Sequence, residues 1–555
     1  MKIQHLIAFL FSSVLVISGY AQDDLPTNWP HLDANTDGYP GMSTQKTYKE
    51  LLKGRTSQTI VVAVIDSGVD KDHEDLKPVM WVNEDEIPDN GIDDDNNGYI
   101  DDIHGWNFLG GKNGKNVAHE NLEMTRLYTL YKKKYEGKSK AGLSKKEKAE
   151  FDQYEEYGKI IEKKKEELSP QVMLYGATLE AFGALAQAIG KKPDDISISD
   201  LKNFKSKDEM LTRVSEAAVG FVEQGQDFGS IYAEVEEVYD YFYGQVNYYY
   251  NPEFNPRDIV GDDVNNPREQ FYGNNDVKGP DSEHGTHVAG IIGAARGNDI
   301  GMDGVADNVR IMSIRTVPSG DERDKDVANA IRYAVDNGAA VINMSFGKGE
   351  SPHKQVVDEA VKYALKNDVL LVHGSGNDAK EVTFANNYPN DKYDKKGLFA
   401  PKYAKNWLEV GASTFSDDEN LVASFSNYSS DKVDVFAPGL EIYSTVPDDK
   451  YKNLQGTSMA SPYVAGLAAL LRSYFPTLTA VQVKSIIMES SSKQKGRVIN
   501  PESGEQVPFS DMCVTGGIVN TYEAVKAAMA TKGKRKFVGF GKGKKKAKKS
   551  DKDRA

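Results

Sequence analysis

A chain of 555 residues, 39% hydrophobic and 27% charged, has the balance of a soluble globular protein, and it is long enough for one large core plus additional material, since single cores stop growing at roughly 250–300 residues. No internal apolar run reads as the ~18 residues of a membrane span, and the single cysteine, Cys513, excludes an intramolecular disulfide. The net charge of −15 conceals a split, because Lys532 to Ala555 hold twelve Lys/Arg against two Asp, a net of +10 that leaves −25 on the rest.

Residues 1–21 read as an export signal: Lys2 supplies the positive start, Leu6 to Ile17 a short apolar core, and Ser18-Gly19-Tyr20-Ala21 the small residues of a cleavage site before Gln22. A periplasmic or extracellular location follows, and with no cysteine near that site a lipid anchor is not expected. After an N-terminal extension, residues 22–55, Thr59 to Ile65 give a continuous β-branched run of the kind found in a strand buried on both faces. The run stops at Asp66-Ser67-Gly68.

Close behind, Asp93-Asp94-Asp95-Asn96-Asn97-Gly98-Tyr99-Ile100-Asp101 places oxygen side chains at alternate positions ahead of a glycine, as in the first half of an EF-hand loop. His104 stands where that motif closes on Glu, so the shell must be completed otherwise. The expected ligands of a structural Ca2+ are Asp93, Asp95, Asn97, Tyr99, Asp101 and Asp102; the alternative is an acidic, solvated turn.

Residues 112–255 read as a helical insertion, with Phe151, Tyr154, Tyr157, Ile160 and Ile161 at helical spacing. Ser144-Lys145-Lys146-Glu147 and Ser206-Lys207-Asp208-Glu209 each fit a capping box, and Pro170 and Pro193 divide the stretch into four or five helices. From Asn251 a strand and helix alternation returns. Val309 to Val317, Ala339 to Met344, Val369 to His373, Leu408 to Gly411 and Val433 to Phe436 are predicted strands; Asp326 to Asn337 and Ser351 to Lys366 are predicted helices. Such alternation implies a parallel sheet covered on both faces, with functional residues at the carboxyl ends of its strands. The tail, residues 531–555, reads as solvated and disordered; its charge also suits anionic surfaces, but with only Phe537 and Phe540 as aromatics no nucleic-acid partner is expected.

Three segments carry chemistry. Asp66 closes a buried strand, where a carboxylate is costly without a partner. His284-Gly285-Thr286-His287-Val288-Ala289-Gly290 sets a histidine at the start of a small-residue helix, and Gly456-Thr457-Ser458-Met459-Ala460-Ser461-Pro462 sets a serine just ahead of another. A serine hydroxyl is a poor nucleophile until a base takes its proton, histidine titrates in the right range, and a carboxylate behind the imidazole fixes its tautomer.

These segments, together with Val62 to Gly68 and Val341-Ile342-Asn343-Met344-Ser345-Phe346-Gly347, resemble the signature segments of subtilisin-like serine peptidases, over residues 56–111 and 256–530. The resemblance implies an α/β fold of three layers, a central, mostly parallel sheet flanked by helices, here with an all-helical insertion. It implies Asp66 as orienting acid, His284 as general base and acid, Ser458 as nucleophile and Asn377 as oxyanion donor beside the Ser458 N–H. His287 is structural in the family. Ser345, Phe346 and Gly347, together with Gly374, Ser375 and Gly376, are the expected substrate-binding residues, and Asp321-Glu322-Arg323 stands where the opposite substrate-pairing segment is expected; Lys348 departs from the small residue usual after Gly347, leaving the side-chain preference open. The substrates implied are peptides or proteins, and calcium stabilisation is a habit of the family.

Only Asp23 to Arg55 stand between the export signal and the first strand, so the inhibitory propeptide usual in the family is not evident. The long insertion between Asp66 and His284 is expected to border the substrate groove. Two other functions remain open: a catalytically silent binding protein, disfavoured by the intact Asp66, His284, Ser458 and Asn377, and a peptide ligase that passes the same acyl-enzyme to an amine.

Overall fold

A computed structural model describes residues 25–394 and 401–535. The expected export signal and most of the basic tail lie outside the described residues. The described chain divides into two compact units, one of residues 119–256 and one of residues 26–118 with 257 onward.

The larger unit is built on a nine-stranded sheet. Its strands include Ile60–Asp66 (β1), Gly105–Asn107 (β2), Val309–Arg315 (β3), Val341–Met344 (β4), Leu370–Gly374 (β5), Trp407–Ser413 (β6) and Val435–Pro438 (β7), with Ser492–Lys493 and Gly517–Ile518 extending one edge. From that edge the order is Ser492–Lys493, Gly517–Ile518, β7, β6, β5, β4, β1, β3, β2. Every pairing among β1 to β7 is parallel. The edge pair Ser492–Lys493 and Gly517–Ile518 is antiparallel.

The apolar runs read as doubly covered strands because they are: β1, β4, β5 and β6 are buried almost throughout. Ala63 and Ile65 of β1 share one core with Ile331 and Tyr333 of helix Asp324–Asp336 and with Val357 and Val361 of helix Lys354–Lys366. Helix Thr457–Tyr474 runs against β1, β4, β5, β6 and β7, and its Leu467, Leu470 and Leu471 are fully buried. Burying each of these leucines contributes about 2 kcal/mol. The sheet is thus mostly parallel and flanked by helices, in agreement with the expected architecture.

The smaller unit holds helices Glu123–Tyr135, Lys145–Ile189, Ile198–Asn203, Glu209–Val222 and Phe228–Gly244; the last four enclose Phe182, Leu185, Leu201, Phe228 and Ile231, and Glu123–Tyr135 packs on Lys145–Ile189 through pairs such as Tyr135 and Phe151. Two local expectations fail here. Pro170 does not end a helix but lies exposed within the 45-residue helix Lys145–Ile189, whose buried residues, Phe151, Tyr157 and Ile161 before it and Thr178, Phe182 and Leu185 after it, hold both halves while the one unpaired carbonyl faces water. Ser206 is not a cap; helix Glu209–Val222 starts one residue after Asp208, whose carboxylate accepts the Met210 N–H at 2.8 Å. The Ser144 box forms as expected, with Ser144 and Glu147 exchanging bonds of 3.3 and 2.9 Å. Among the described residues, helix Lys145–Ile189 alone is, by length and composition only, apolar enough to cross a membrane. Its Phe182 and Leu185 sit in the core of the unit instead.

Candidate active site

The site lies at the carboxyl ends of β1, β4 and β5. At the end of β1, the Asp66 carbonyl accepts the N–H groups of Thr316 and Val317 at 3.0 and 3.2 Å, which fixes the strand end. The Asp66 carboxylate is 1% exposed, and its Oδ1 accepts from Ser67 N at 2.7 Å and from His284 Nδ1 at 2.7 Å. Because a carboxylate only accepts, Nδ1 carries the proton and Nε2 is left with the lone pair of a base.

His284 sits in the first turn of helix Glu283–Gly293 with its side chain 38% exposed. A side chain at Gly285 would meet the Gly68 carbonyl at 2.1 Å, so only glycine lets this helix approach β1 closely enough for the bond to form. Burial lowers the proton affinity of His284, but the charge and hydrogen bond of Asp66 outweigh it, and the imidazole pKa is held above its ordinary value.

Ser458 is the second residue of helix Thr457–Tyr474. There its N–H is one of the amides that a helix start leaves free of intrahelical partners. Gly456 precedes the helix at φ +147°, a conformation that side chains resist, and a Cβ there would stand 3.1 Å from Asn377 Nδ2. The Ser458 hydroxyl donates to the Ser345 carbonyl at 3.3 Å rather than to His284. Such bonds commonly tighten only when substrate arrives.

Asn377 is held by its oxygen: Oδ1 accepts from Thr457 N at 2.9 Å and from Thr457 Oγ1 at 3.0 Å, which directs Nδ2 toward Gly456. The Thr457 hydroxyl in turn accepts the Gly376 N–H at 3.0 Å.

The two expected substrate-binding segments flank these residues. Ser345 Oγ donates to the Ser458 carbonyl at 2.9 Å and lies 2.8 Å from Ser461 Oγ. Phe346 and Gly347 line a cleft of about 300 Å³ together with Asp66, His284 and Glu322. Gly374 packs so closely that a Cβ would stand 3.0 Å from the Thr457 carbonyl, and Gly376 adopts φ +102°. Ser375 is fully buried and donates to Asn427 O at 3.1 Å, so its side chain turns away from the cleft. Lys348, the departure noted in the sequence, is buried, with Nζ 2.8 Å from the Glu322 carbonyl and 3.0 Å from Asp324 Oδ1. It ties segment 322–324 to segment 345–348.

His287 Nε2 lies 2.9 Å from Ile442 O and 3.1 Å from Lys452 O. Burial lowers its pKa to about 3, so this histidine is a neutral strut.

In the acidic loop the structure separates the expected ligands. Asp95 and Asp102 come together with Glu86, their carboxylate oxygens within 4.8 Å of one another. Asp93 instead accepts the N–H groups of Asn97 and Gly98, both at 2.9 Å, and Asp101 those of Asn90 and Gly91 at 3.1 and 2.9 Å; both shape the turn. Asn97 Nδ2 donates to Asp95 and Asp102, each at 3.1 Å, and the Tyr99 ring packs between Trp106 and Tyr333. Burial raises the pKa of Asp102 to about 7, against hydrogen bonds from Tyr333, Asn83 and Asn97. Glu86 was missed because it lies outside the motif, and no spacing rule announces its return.

Comparison with known proteins assigns the chain to a family. The family model described as the subtilase family of peptidases matches residues 57–506. A thermophilic serine proteinase of Bacillus sp. (strain AK1) is 37% identical over 250 residues, 45% of this chain and 55% of that protein. Subtilisin DY of Bacillus licheniformis is 40% identical over 213 residues, 38% of this chain and 70% of its own. Thermitase of Thermoactinomyces vulgaris is 36% identical over 227 residues, 41% of this chain and 73% of its own. The chain therefore spans between about half and three quarters of these relatives. A solved protease structure from Pseudoalteromonas arctica is 26% identical, covering 46% of this chain and 79% of that one, with a TM-score of 0.36. With the family match running over most of its length, the chain belongs to the subtilase family.

Proposed function

We propose that this chain is an exported serine endopeptidase that cleaves peptide bonds through an acyl-enzyme on Ser458. The observation that carries this reading is the 2.7 Å bond from His284 Nδ1 to the buried Asp66, with Ser458 at the start of an adjoining buried helix. His284 Nε2 takes the Ser458 proton as Oγ attacks the substrate carbonyl carbon, and the carbonyl π pair moves onto oxygen. The Ser458 N–H and Asn377 Nδ2 receive that oxyanion, helped by the positive end of the helix dipole. The imidazolium then gives its proton to the leaving amine as the C–N bond breaks, and water, deprotonated by the same nitrogen, releases the acid. Export by residues 1–21 places the activity outside the cytoplasm.

Asn377→Ala is expected to lower kcat for a peptide substrate by about 10²–10³-fold with little change in KM, the cost known for such a donor in a subtilisin. Steady-state kinetics on a chromogenic tetrapeptide checks this. A peptide ligase would use the same intermediate; added amine nucleophile and mass spectra of the products separate the two fates, and hydrolysis is the outcome expected here.

The carboxylates of Glu86, Asp95 and Asp102 suit a hard divalent cation, and Ca2+ is the ion proposed. The observation that supports a positive charge at this point is geometric: three carboxylates meet within 4.8 Å, two of them, Glu86 and Asp102, buried. Bound at a hundredfold excess over Kd, the ion would add about 2.7 kcal/mol of stability. A chelator is therefore expected to lower Tm by several degrees in the wild type and much less in Asp102→Asn, as calorimetry would show.

A further inference from the structure

The segment that walls the cleft is held from below by a buried charged pair that the chemistry does not use. His373 of β5 is fully buried and lies in register with Glu409 of β6. Its Nδ1 is 3.0 and 3.1 Å from the two Glu409 oxygens, and its Nε2 is 2.7 Å from the Phe346 carbonyl. Glu409 also accepts from Trp407 Nε1 at 2.8 Å and Asn387 Nδ2 at 3.0 Å. A carbonyl can only accept, so Nε2 carries a proton, and a further proton lies between Nδ1 and Glu409, where the donors Trp407 and Asn387 favour the carboxylate and leave that proton on the ring. Burial disfavours that cation, but Glu409 overrides it and the pKa is raised.

We propose that His373, charged and anchored by Glu409, is a positioning residue that sets the peptide planes of segment 345–347 for substrate pairing. Backbone groups along an extended segment point alternately to opposite sides. Here the Ser345 carbonyl faces Ser458 Oγ, the Phe346 carbonyl is drawn inward to His373, and Gly347, next along the segment, lines the cleft. The bridge between Lys348 and Tyr388, with bonds of 2.9 and 3.0 Å, holds the far end of the segment. Without the His373 bond the middle peptide is free to rotate, and a peptide substrate loses its aligned partner while a small ester that never reaches the segment does not.

This inference rests on the peptidase reading of the cleft. The test compares kcat/KM for an N-acyl tetrapeptide p-nitroanilide with that for p-nitrophenyl acetate, together with Tm. In His373→Ala the ratio is expected to fall about 10- to 100-fold, with a lowered Tm because Glu409 is left buried without its partner. His373→Gln, which keeps a donor toward Phe346, is expected to recover most of the ratio. The double variant His373→Ala/Glu409→Gln removes the orphaned charge and keeps an amide oxygen to accept from Trp407 or Asn387, so Tm partly recovers while the ratio stays low. An unchanged ratio in His373→Ala, or a ratio that returns with Tm in the double variant, would overturn the proposal. A wild-type protein that turns over neither substrate overturns the peptidase reading itself, which is a separate signature.

Discussion

Ser458→Ala is expected to lower kcat on a peptide substrate by about 10⁶-fold, since nucleophile and base act as one unit and the loss of either removes nearly all of their joint effect. The folded state should scarcely notice. The hydroxyl makes one hydrogen bond, to the Ser345 carbonyl at 3.3 Å, and its loss is worth about 1 kcal/mol at most. Gly456 and Asn377 keep their places because Asn377 is held by Thr457, not by Ser458. A parallel drop in activity and Tm would show that Ser458 serves the fold rather than the reaction.

The second large effect belongs to Asp66→Asn. An amide at this position no longer stabilises the imidazolium and can present a donor to Nδ1, favouring the wrong tautomer, so kcat is expected to fall by about 10⁴-fold. The pH profile should change as well. In the wild type the raised pKa of His284 places the acidic limb of kcat/KM above 6.5, because the base must be neutral. Removing the carboxylate takes away the effect that outweighs burial, and the limb moves to lower pH. Stability runs the other way: a raised folded pKa adds stability that is complete below the unfolded value near 6.5 and is lost as pH rises through the folded value. Activity should therefore rise over the same window in which this contribution to stability fades. Rate profiles and thermal melts across pH 5–9 measure both.

The legibility of the fold follows burial. β1, β4 and β5 are covered on both faces, so they stand out as unbroken apolar runs, and their ends lie within two residues of where the pattern puts them. Pro170 does not break its helix because the halves on either side are each anchored by buried side chains, a tertiary effect that no local rule contains. Ser206 misled because Asp208, two residues on, offered a better cap.

The site divides in the same manner. Asp66, His284, Ser458 and Asn377 sit in short segments whose composition is unusual, because glycines must let backbones approach and side chains must be aimed. Glu86 and the pair His373 and Glu409 carry no such mark. Each is a single polar residue in an ordinary stretch, and its meaning arises only when chain folding brings a partner from elsewhere: Asp95 and Asp102 for the first, the Phe346 carbonyl for the second.

The most direct measurement is covalent labelling of the full chain by a fluorophosphonate, in the presence of calcium, with the adduct located by peptide mass spectrometry. The account predicts one adduct, on the peptide containing Ser458, absent in Ser458→Ala and strongly slowed in Asp66→Asn. A folded wild-type protein that takes no label, or one labelled equally after Ser458→Ala, would contradict it.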